Sequence, residues 1–361
     1  ANIFMKKSSL FSPIQLRSIT ISNRVTISPM CQYSAVEGDA NEWHASHYMQ
    51  MATSGAGMFV IESTAVSKQG RISHGDLGLY SSSNEDQLTK MVKSCKKYSK
   101  TPIACQLSHS GRKGSVNLPW LGGKHLTSDE GGWDTVSASA ISRYDGGTIP
   151  SELNLGQLNG IRQDFIKATQ RAIRANLDIV ELHIAHGYLL HQFFSPISNH
   201  RVDEYGGNFN NRIRFILEIV SDVRRTWPTD KPIGIRVTAQ DWLDGGSTIN
   251  DCVALVLQLK AIGIDYICVS SGGIIPVTNL VSGIGFQVEF ASEIKRRTGM
   301  VTRVTGEIND YKTAQKIIES NDADLVAIGR SYLNDPHWVW RAAIGLKEEV
   351  LVPKQYQRGY W

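Results

Sequence analysis

Apolar residues along the chain fall into two alternating patterns. Short β-branched runs, the mark of strands buried on both faces, occupy residues 25–28, 58–62, 103–107, 179–183, 233–237, 266–270, 301–305 and 325–328. Between them lie longer stretches with an apolar stripe at helical spacing, at 85–98, 158–175, 210–227, 250–262 and 310–319. The clearest is 158–175, where Ile161, Phe165, Ala168, Ala172 and Ile173 share one face. Strands that alternate with helices run parallel, because each return needs a crossover, and eight such units are the number that closes into a (β/α)8 barrel, the TIM-barrel fold. An open doubly wound sheet is the rival architecture, but its phosphate fingerprints, G-x-G-x-x-G and G-x-x-x-x-G-K-[ST], do not occur.

Ahead of the first strand, 14–21 reads as two short extended pieces around Arg17-Ser18, a hairpin suited to plugging the barrel floor. Two long irregular stretches, 111–150 and 187–207, each follow a strand end, where the loops of this fold build its active face. With no short-period repeat and no low-complexity tract, the expectation is one barrel domain over 1–361, with an aromatic and basic tail at 353–361.

Composition narrows the function classes. With 41% hydrophobic and 20% charged residues the chain can bury a large core, which excludes disorder as its main state. The 38 Lys and Arg against 34 Asp and Glu leave a net charge of +4, too small and too scattered to make nucleic acid the partner, while a small anionic ligand stays open. The cysteines, Cys31, Cys95, Cys105, Cys252 and Cys268, are odd in number and lack any C-x-x-C pair, which argues against a disulfide framework or zinc knuckle and for a reducing, cytoplasmic setting. No apolar run approaches the ~18 residues of a membrane span, and no signal-peptide order opens the sequence, so no membrane partner is expected.

Nearly every strand runs into residues capable of ligand chemistry. The first ends in Ser28-Pro29-Met30-Cys31-Gln32-Tyr33, the third carries Gln106 and leads to His109, and the fourth gives His183, His186 and Tyr188. The fifth carries Arg236, the sixth ends at Ser270, the seventh reaches Gly306, and the eighth stops at Gly329-Arg330. In a barrel these positions converge on one mouth. Gly306 and Gly329 let backbone N–H groups approach a phosphate and Arg330 offers a charged fork to its oxygens, unless the glycines only end strands and Arg330 only solvates a rim. His183, His186 and Tyr188 bring two imidazoles and a phenol within six residues, able to address one electronegative atom with a proton donor close by. The same histidine pair also suits a metal-dependent barrel hydrolase, although no H-E-x-x-H carboxylate stands between them, and packed structural histidines are a third reading. Cys31 is placed either to tune a bound cofactor or to fill a small apolar site. No G-x-S-x-G elbow supports serine chemistry. Arg236, in an otherwise apolar strand, needs a partner if it points inward: an interior acid such as Glu181, or negative charge on a cofactor.

Together these segments resemble the old yellow enzyme family of flavin-dependent ene-reductases, in its thermophilic-like subclass. The resemblance rests on Asn23-Arg24-Val25, Ser28 to Tyr33, Gln69-Gly70-Arg71, Gln106 to Lys113, His183 to Tyr188, Ser195 to Asn199, Asp203 to Gly207 with Asn211-Arg212, and Ile328-Gly329-Arg330, in order over nearly the whole chain. It implies a barrel holding noncovalent FMN, reduced by NADPH or NADH, that reduces the C=C bond of small activated alkenes by a ping-pong mechanism and is inhibited by phenolic ligands. By the same resemblance His183 and His186 hydrogen-bond the substrate carbonyl, Tyr188 protonates the α-carbon, and Tyr33 lies near the substrate. Cys31 modulates the flavin, which Pro29, Met30, Gln106, Arg236, Ser270, Gly306, Gly329 and Arg330 line. Ser63 stands where many relatives have Ala and adds a hydrogen bond to the ring, Arg303 and Thr305 depart from the usual residues before Gly306, and the 111–150 loop with Trp120 and Trp133 is longer than in the shortest members. The tail from Gln355 to Trp361 holds an arginine and three aromatics, types enriched at interface hot spots. The resemblance implies a homodimer or homotetramer in which Arg358 reaches the substrate mouth of the neighbouring chain; the other reading is an intrachain latch over the barrel floor.

Overall fold

The computed structural model describes residues 9–276 and 281–361. Strands β1 (Ile14–Leu16) and β2 (Ile19–Ile21) pair antiparallel, with Arg17 in the left-handed region at the turn. Leu16 and Ile21 from this hairpin pack against Met58, Val60, Ala104, Ile179, Tyr266 and Leu325, forming an apolar plug in the floor. Above it close the strands of the barrel: β3 (Val25–Ile27), β4 (Met58–Ala65), β5 (Ile103–Ser108) and, after a small parallel pair β6 (Val136–Ser137) and β7 (Ser151–Glu152), β8 (Ile179–Ile184), β9 (Ile233–Thr238), β10 (Tyr266–Ser270), β11 (Val301–Val304) and β12 (Leu325–Ile328). Neighbours pair parallel and β12 returns to β3, so the expected closed eight-stranded (β/α)8 barrel is present and no barrel strand is left as an open edge.

The helices are α1 (Glu42–Ala52), α2 (Ser82–Tyr98), α3 (Leu155–Arg174), α4 (Leu189–Phe194), α5 (Phe209–Thr226), α6 (Ile249–Ile262), α7 (Val288–Thr298), α8 (Tyr311–Glu319), α9 (Arg330–Asn334) and α10 (Trp338–Leu346). Five match the expected amphipathic stretches. Helix α3 begins at Leu155 because Asn154 caps it, accepting from the Gln157 N–H at 2.9 Å while Gln157 returns the bond to the Asn154 N–H at 2.8 Å. Helices α1, α4, α7, α9 and α10 were not legible as apolar stripes. Helix α4 falls inside the stretch expected to be irregular: all six of its residues are buried, so no polar face marks it. Helix α1 buries His44 and Tyr48 beside Met51 and Ala52, a face too polar to read as a core stripe.

Strands expected at 266–270 and 325–328 match β10 and β12, those at 25–28 and 301–305 stop one residue sooner, and the one expected at 58–62 continues to Ala65. That continuation includes a bulge: Ile61 pairs with Cys105 and Ser63 with Gln106, leaving Glu62 unpaired between them. Ser63 thereby shares the inward face with Gln106, and Glu62 turns outward, 3.4 Å from Nε2 of His44 on α1.

Alternation along each strand stacks the barrel interior in layers. Above the apolar plug lies a buried polar layer in which Glu181 Oε2 accepts from Arg303 at 2.6 Å and from the Tyr266 hydroxyl at 2.7 Å, while Oε1 accepts from Gln106 at 3.0 Å. Gly234 makes this possible, since a Cβ there would stand 1.9 Å from the Tyr266 ring. Glu181 is therefore not the partner of Arg236; Arg303 takes it, and the unusual arginine before Gly306 is an interior structural residue. Among the described residues no helix is long and apolar enough to cross a membrane.

Candidate active site

The next layer up is the barrel mouth, and β8 delivers its most reactive group. His183, the last inward residue of that strand but for the turn, lies with its ring centroid 5.2 Å from that of His186 and 4.9 Å from that of Tyr188. The chain then turns sharply: His186 has a φ of 58° and Gly187 one of 76°. A Cβ on Gly187 would meet the Gly273 carbonyl oxygen at 2.1 Å, so glycine is needed for the turn to pack against the loop after β10. Beneath it, His191 accepts from the Gly187 N–H at 2.7 Å and is held by Asp241, also at 2.7 Å, while Ser195 donates to the other Asp241 oxygen at 2.6 Å. This support shell is not legible in the sequence, because its members come from α4, the residue that follows it and the loop after β9.

Both imidazoles are held neutral. Burial first, then the charge of Arg236, lowers His183 and His186 well below the usual histidine range. His183 Nδ1 accepts from the Ala185 N–H at 3.2 Å, which leaves its proton on Nε2. His186 is more committed than the sequence suggested, its Nε2 lying 2.5 Å from the Ser270 hydroxyl. Burial raises the Tyr188 phenol, with Cys31 and Tyr33 adding to the shift, so it stays protonated at neutral pH. Tyr33 and Cys31 are shifted upward in the same way, again chiefly by burial. Tyr33 sits in the left-handed region at φ 51° and meets Trp120 of the 111–150 loop edge-on at 6.0 Å. Trp133 of the same loop packs on His74 and under Arg71.

Pro29, Met30, Arg236, Gly306, Gly329 and Arg330 come together around a cavity of about 270 Å³ across β3, β9, β11 and β12. Gly306, at φ 116°, lines it with no room for a side chain, since a Cβ would stand 2.7 Å from the Gln287 amide, and Arg236 Nε is buried with no hydrogen-bond partner among the described residues. A cationic donor without a partner in a cavity lined by glycines and Arg330 fits a flavin with its phosphate. Three of the other expected flavin contacts are already engaged within the protein: Gln106 with Glu181, Ser270 with His186, and Ser63 with the Ser108 hydroxyl. The hydrogen bond expected from Ser63 to the flavin ring thus has a competitor in Ser108. Arg358 does not join this group within its own chain. It is exposed in the turn Lys354–Gly359, whose Tyr356 and following Tyr360 pack on Trp340 of α10. For the metal-hydrolase alternative there is no support: among the described residues no group of three or more His, Cys, Asp or Glu is placed to hold a metal ion.

Lys113, to which the sequence assigns no role, also stands in the mouth. Its Nζ donates to the His186 carbonyl at 2.7 Å and stands 4.5 Å above the Tyr188 ring, and burial, with Arg143 and Arg112 nearby, lowers it to about 7.

Comparison with known proteins agrees with this geometry. The pattern of the family described as NADH:flavin oxidoreductase / NADH oxidase spans residues 9–349. NADPH dehydrogenase of Bacillus subtilis is 37% identical over 353 residues, covering 97% of this chain and 99% of its own. The Listeria welshimeri protein of the same name is 38% identical over 355 residues, covering 98% and 99%. Among solved structures, morphinone reductase superposes with a TM-score of 0.79 at 25% identity over 99% of this chain and 94% of its own. The chain belongs to the NADH:flavin oxidoreductase / NADH oxidase family, the family of the old yellow enzymes.

Proposed function

We propose that this protein is an FMN-dependent, NAD(P)H-driven ene-reductase that reduces the C=C bond of α,β-unsaturated carbonyl compounds and related activated alkenes by a ping-pong mechanism. The observation that carries the reading is the neutral His183–His186 pair with a protonated Tyr188 beside it, opening next to the Arg236 cavity. Pro29, Met30, Cys31, Ser63, Gln106, Arg236, Ser270, Gly306, Gly329 and Arg330 would hold FMN noncovalently, the glycines and Arg330 serving its phosphate. Bound FMN supplies the hydride that it takes from NADPH or NADH.

The rest is done by the chain. His183 Nε2–H and an N–H of His186 donate to the substrate carbonyl oxygen, stabilising the negative charge that gathers there as the β-carbon is reduced. Tyr188 delivers its proton to the α-carbon. Tyr33 and Trp120 wall the substrate on the loop side. Phenolic ligands imitate the charged oxygen and compete for the same donors. The tail would place Arg358 of one protomer at the mouth of its neighbour in a homodimer or a tetramer of such dimers, in the cytoplasm.

Anaerobic NADPH should bleach the flavin absorbance of the purified protein, and 2-cyclohexenone added next should restore it with formation of cyclohexanone. Bleaching followed by neither recovery nor saturated ketone would overturn the assignment.

A further inference from the structure

We infer that the alkenes taken by this site carry a carboxylate, received by a subsite of Arg143 and Lys113 at the edge of the mouth. This rests on the ene-reductase reading above and names its substrate class. Lys113 stands over the Tyr188 ring and is tied to the His186 carbonyl, so its ammonium lies beside the reacting groups. Its neighbour Arg112 reaches the other way, donating to the carbonyls of Ile141 at 3.1 Å and Ser142 at 3.3 Å and to that of Ile274 at 2.8 Å. Those bonds fasten the backbone just before Arg143, in the long 111–150 loop, to the barrel mouth. Arg143 Nε is shielded from solvent and has no hydrogen-bond partner among the described residues, and its charge bears on the Tyr188 hydroxyl.

Arg112, Lys113 and Arg143 thus gather in one part of the mouth, and none forms an ion pair among the described residues. The carboxylate whose charge also reaches Tyr188, Asp76, is already held by the Ile72 N–H at 2.7 Å, the Ser73 N–H at 3.2 Å and the Ser73 hydroxyl at 2.9 Å. Cations crowded without a counter-charge repel one another and lose hydration. An anionic ligand reverses both costs, and a guanidinium fork with an ammonium beside it matches the two oxygens of a carboxylate. Arg112, with its two terminal nitrogens on carbonyls, positions the loop; Arg143 is the group left to bind, and Lys113, held on the His186 carbonyl, adds its charge beside it.

Two phenols of similar shape, one anionic and one neutral at the para group, test the subsite: 4-hydroxybenzoate and 4-hydroxybenzamide, titrated calorimetrically into the holoenzyme. Both should bind through the phenol oxygen, the carboxylate at least about tenfold more tightly, as expected for one charge-assisted contact. In Arg143→Gln the ratio of dissociation constants should fall toward one, and in Arg143→Glu the amide should become the tighter ligand. Equal affinities in the unaltered protein, or a ratio unmoved by both substitutions, would overturn the carboxylate subsite while leaving the ene-reductase reading intact. If Arg143→Gln raises the KM for NADPH and leaves the ratio unchanged, the cations serve the reductant and the inference fails. If neither phenol binds, the inference falls together with the reading of His183 and His186 on which it rests.

Discussion

Two polar layers lie one above the other inside the barrel, and they are built on opposite principles. In the lower one, Glu181 is saturated: Arg303 and Tyr266 serve one oxygen and Gln106 the other, and the Arg303 guanidinium also lies 5.1 Å from the Tyr266 ring centre. In the upper one, neutral His183 and His186 stand beside Arg236 and Lys113, with no carboxylate among them; the missing counter-charge is the difference, since Arg303 Nε and Nη1 in the lower layer lack hydrogen-bond partners just as Arg236 Nε does among the described residues. Opposite charges that satisfy each other belong to the fold, and removing one strands the other. Cations gathered without a counter-charge are a receptor, complete only with a ligand.

The sharpest way to break this contrast is to remove one member from each layer. Glu181→Gln should cost ~3–5 kcal/mol of stability in urea denaturation, because Arg303 is left buried without its counter-charge. Arg236→Gln should change the stability of the flavin-free protein by under about 1 kcal/mol while weakening flavin retention, seen as lost absorbance on gel filtration. Equal destabilisation would erase the distinction. Within the upper layer, Tyr188→Phe should slow alkene reduction about 10²- to 10³-fold in stopped-flow traces, as for loss of a general acid, and change flavin reduction by NADPH far less. Matching losses in both half-reactions would remove Tyr188 from proton delivery.

A smaller effect should follow from pH. His109, buried at the end of β5, is lowered to about 4 from 6.5 by burial, and its Nδ1 accepts from the Gly111 N–H at 3.0 Å. Between those two values the unfolded chain binds the proton and the folded chain does not, so stability is lost as pH falls through that window, by up to about 3 kcal/mol for this group. His109→Gln should flatten the slope of melting temperature against pH; an unchanged slope would assign it to the other buried histidines. The smallest change is expected from deleting residues 354–361, which should loosen the dimer in sedimentation and shift the KM for the alkene with flavin retained. A truncated protein of unaltered assembly and kinetics would make the tail the intrachain latch that its packing on Trp340 also allows.

The alternation of patterns made most of the barrel legible, down to the bounds of β10 and β12 and the floor hairpin. Period and turn chemistry are local properties, and sequence displays them directly. Height within the barrel is not local. Glu181 and Arg303 lie 122 positions apart and meet because of register across β8, β9, β10 and β11, which is why Glu181 stands in the sequence as one of two candidate partners for Arg236. The same limit hid His191 and Asp241, whose role is to brace the Gly187 turn from behind, and Arg143, which reads as an ordinary loop residue until Arg112 is seen anchoring the carbonyls before it. The cluster at His183, His186 and Tyr188 was legible because it is contiguous.

A strand read two residues at a time works like a reading frame, and β4 contains a single frameshift. Had Ile61 been followed in unbroken register, Glu62 and not Ser63 would stand opposite Gln106, and a carboxylate would enter the upper barrel. One extra residue exports that negative charge to the helix side, against His44, and admits a hydroxyl in its place. The polarity of the chamber is thus set by the parity of a count. Deleting Glu62 would close the bulge and keep Ser63 opposite Gln106, whereas a one-residue shift that paired Glu62 with Gln106 would turn the carboxylate inward.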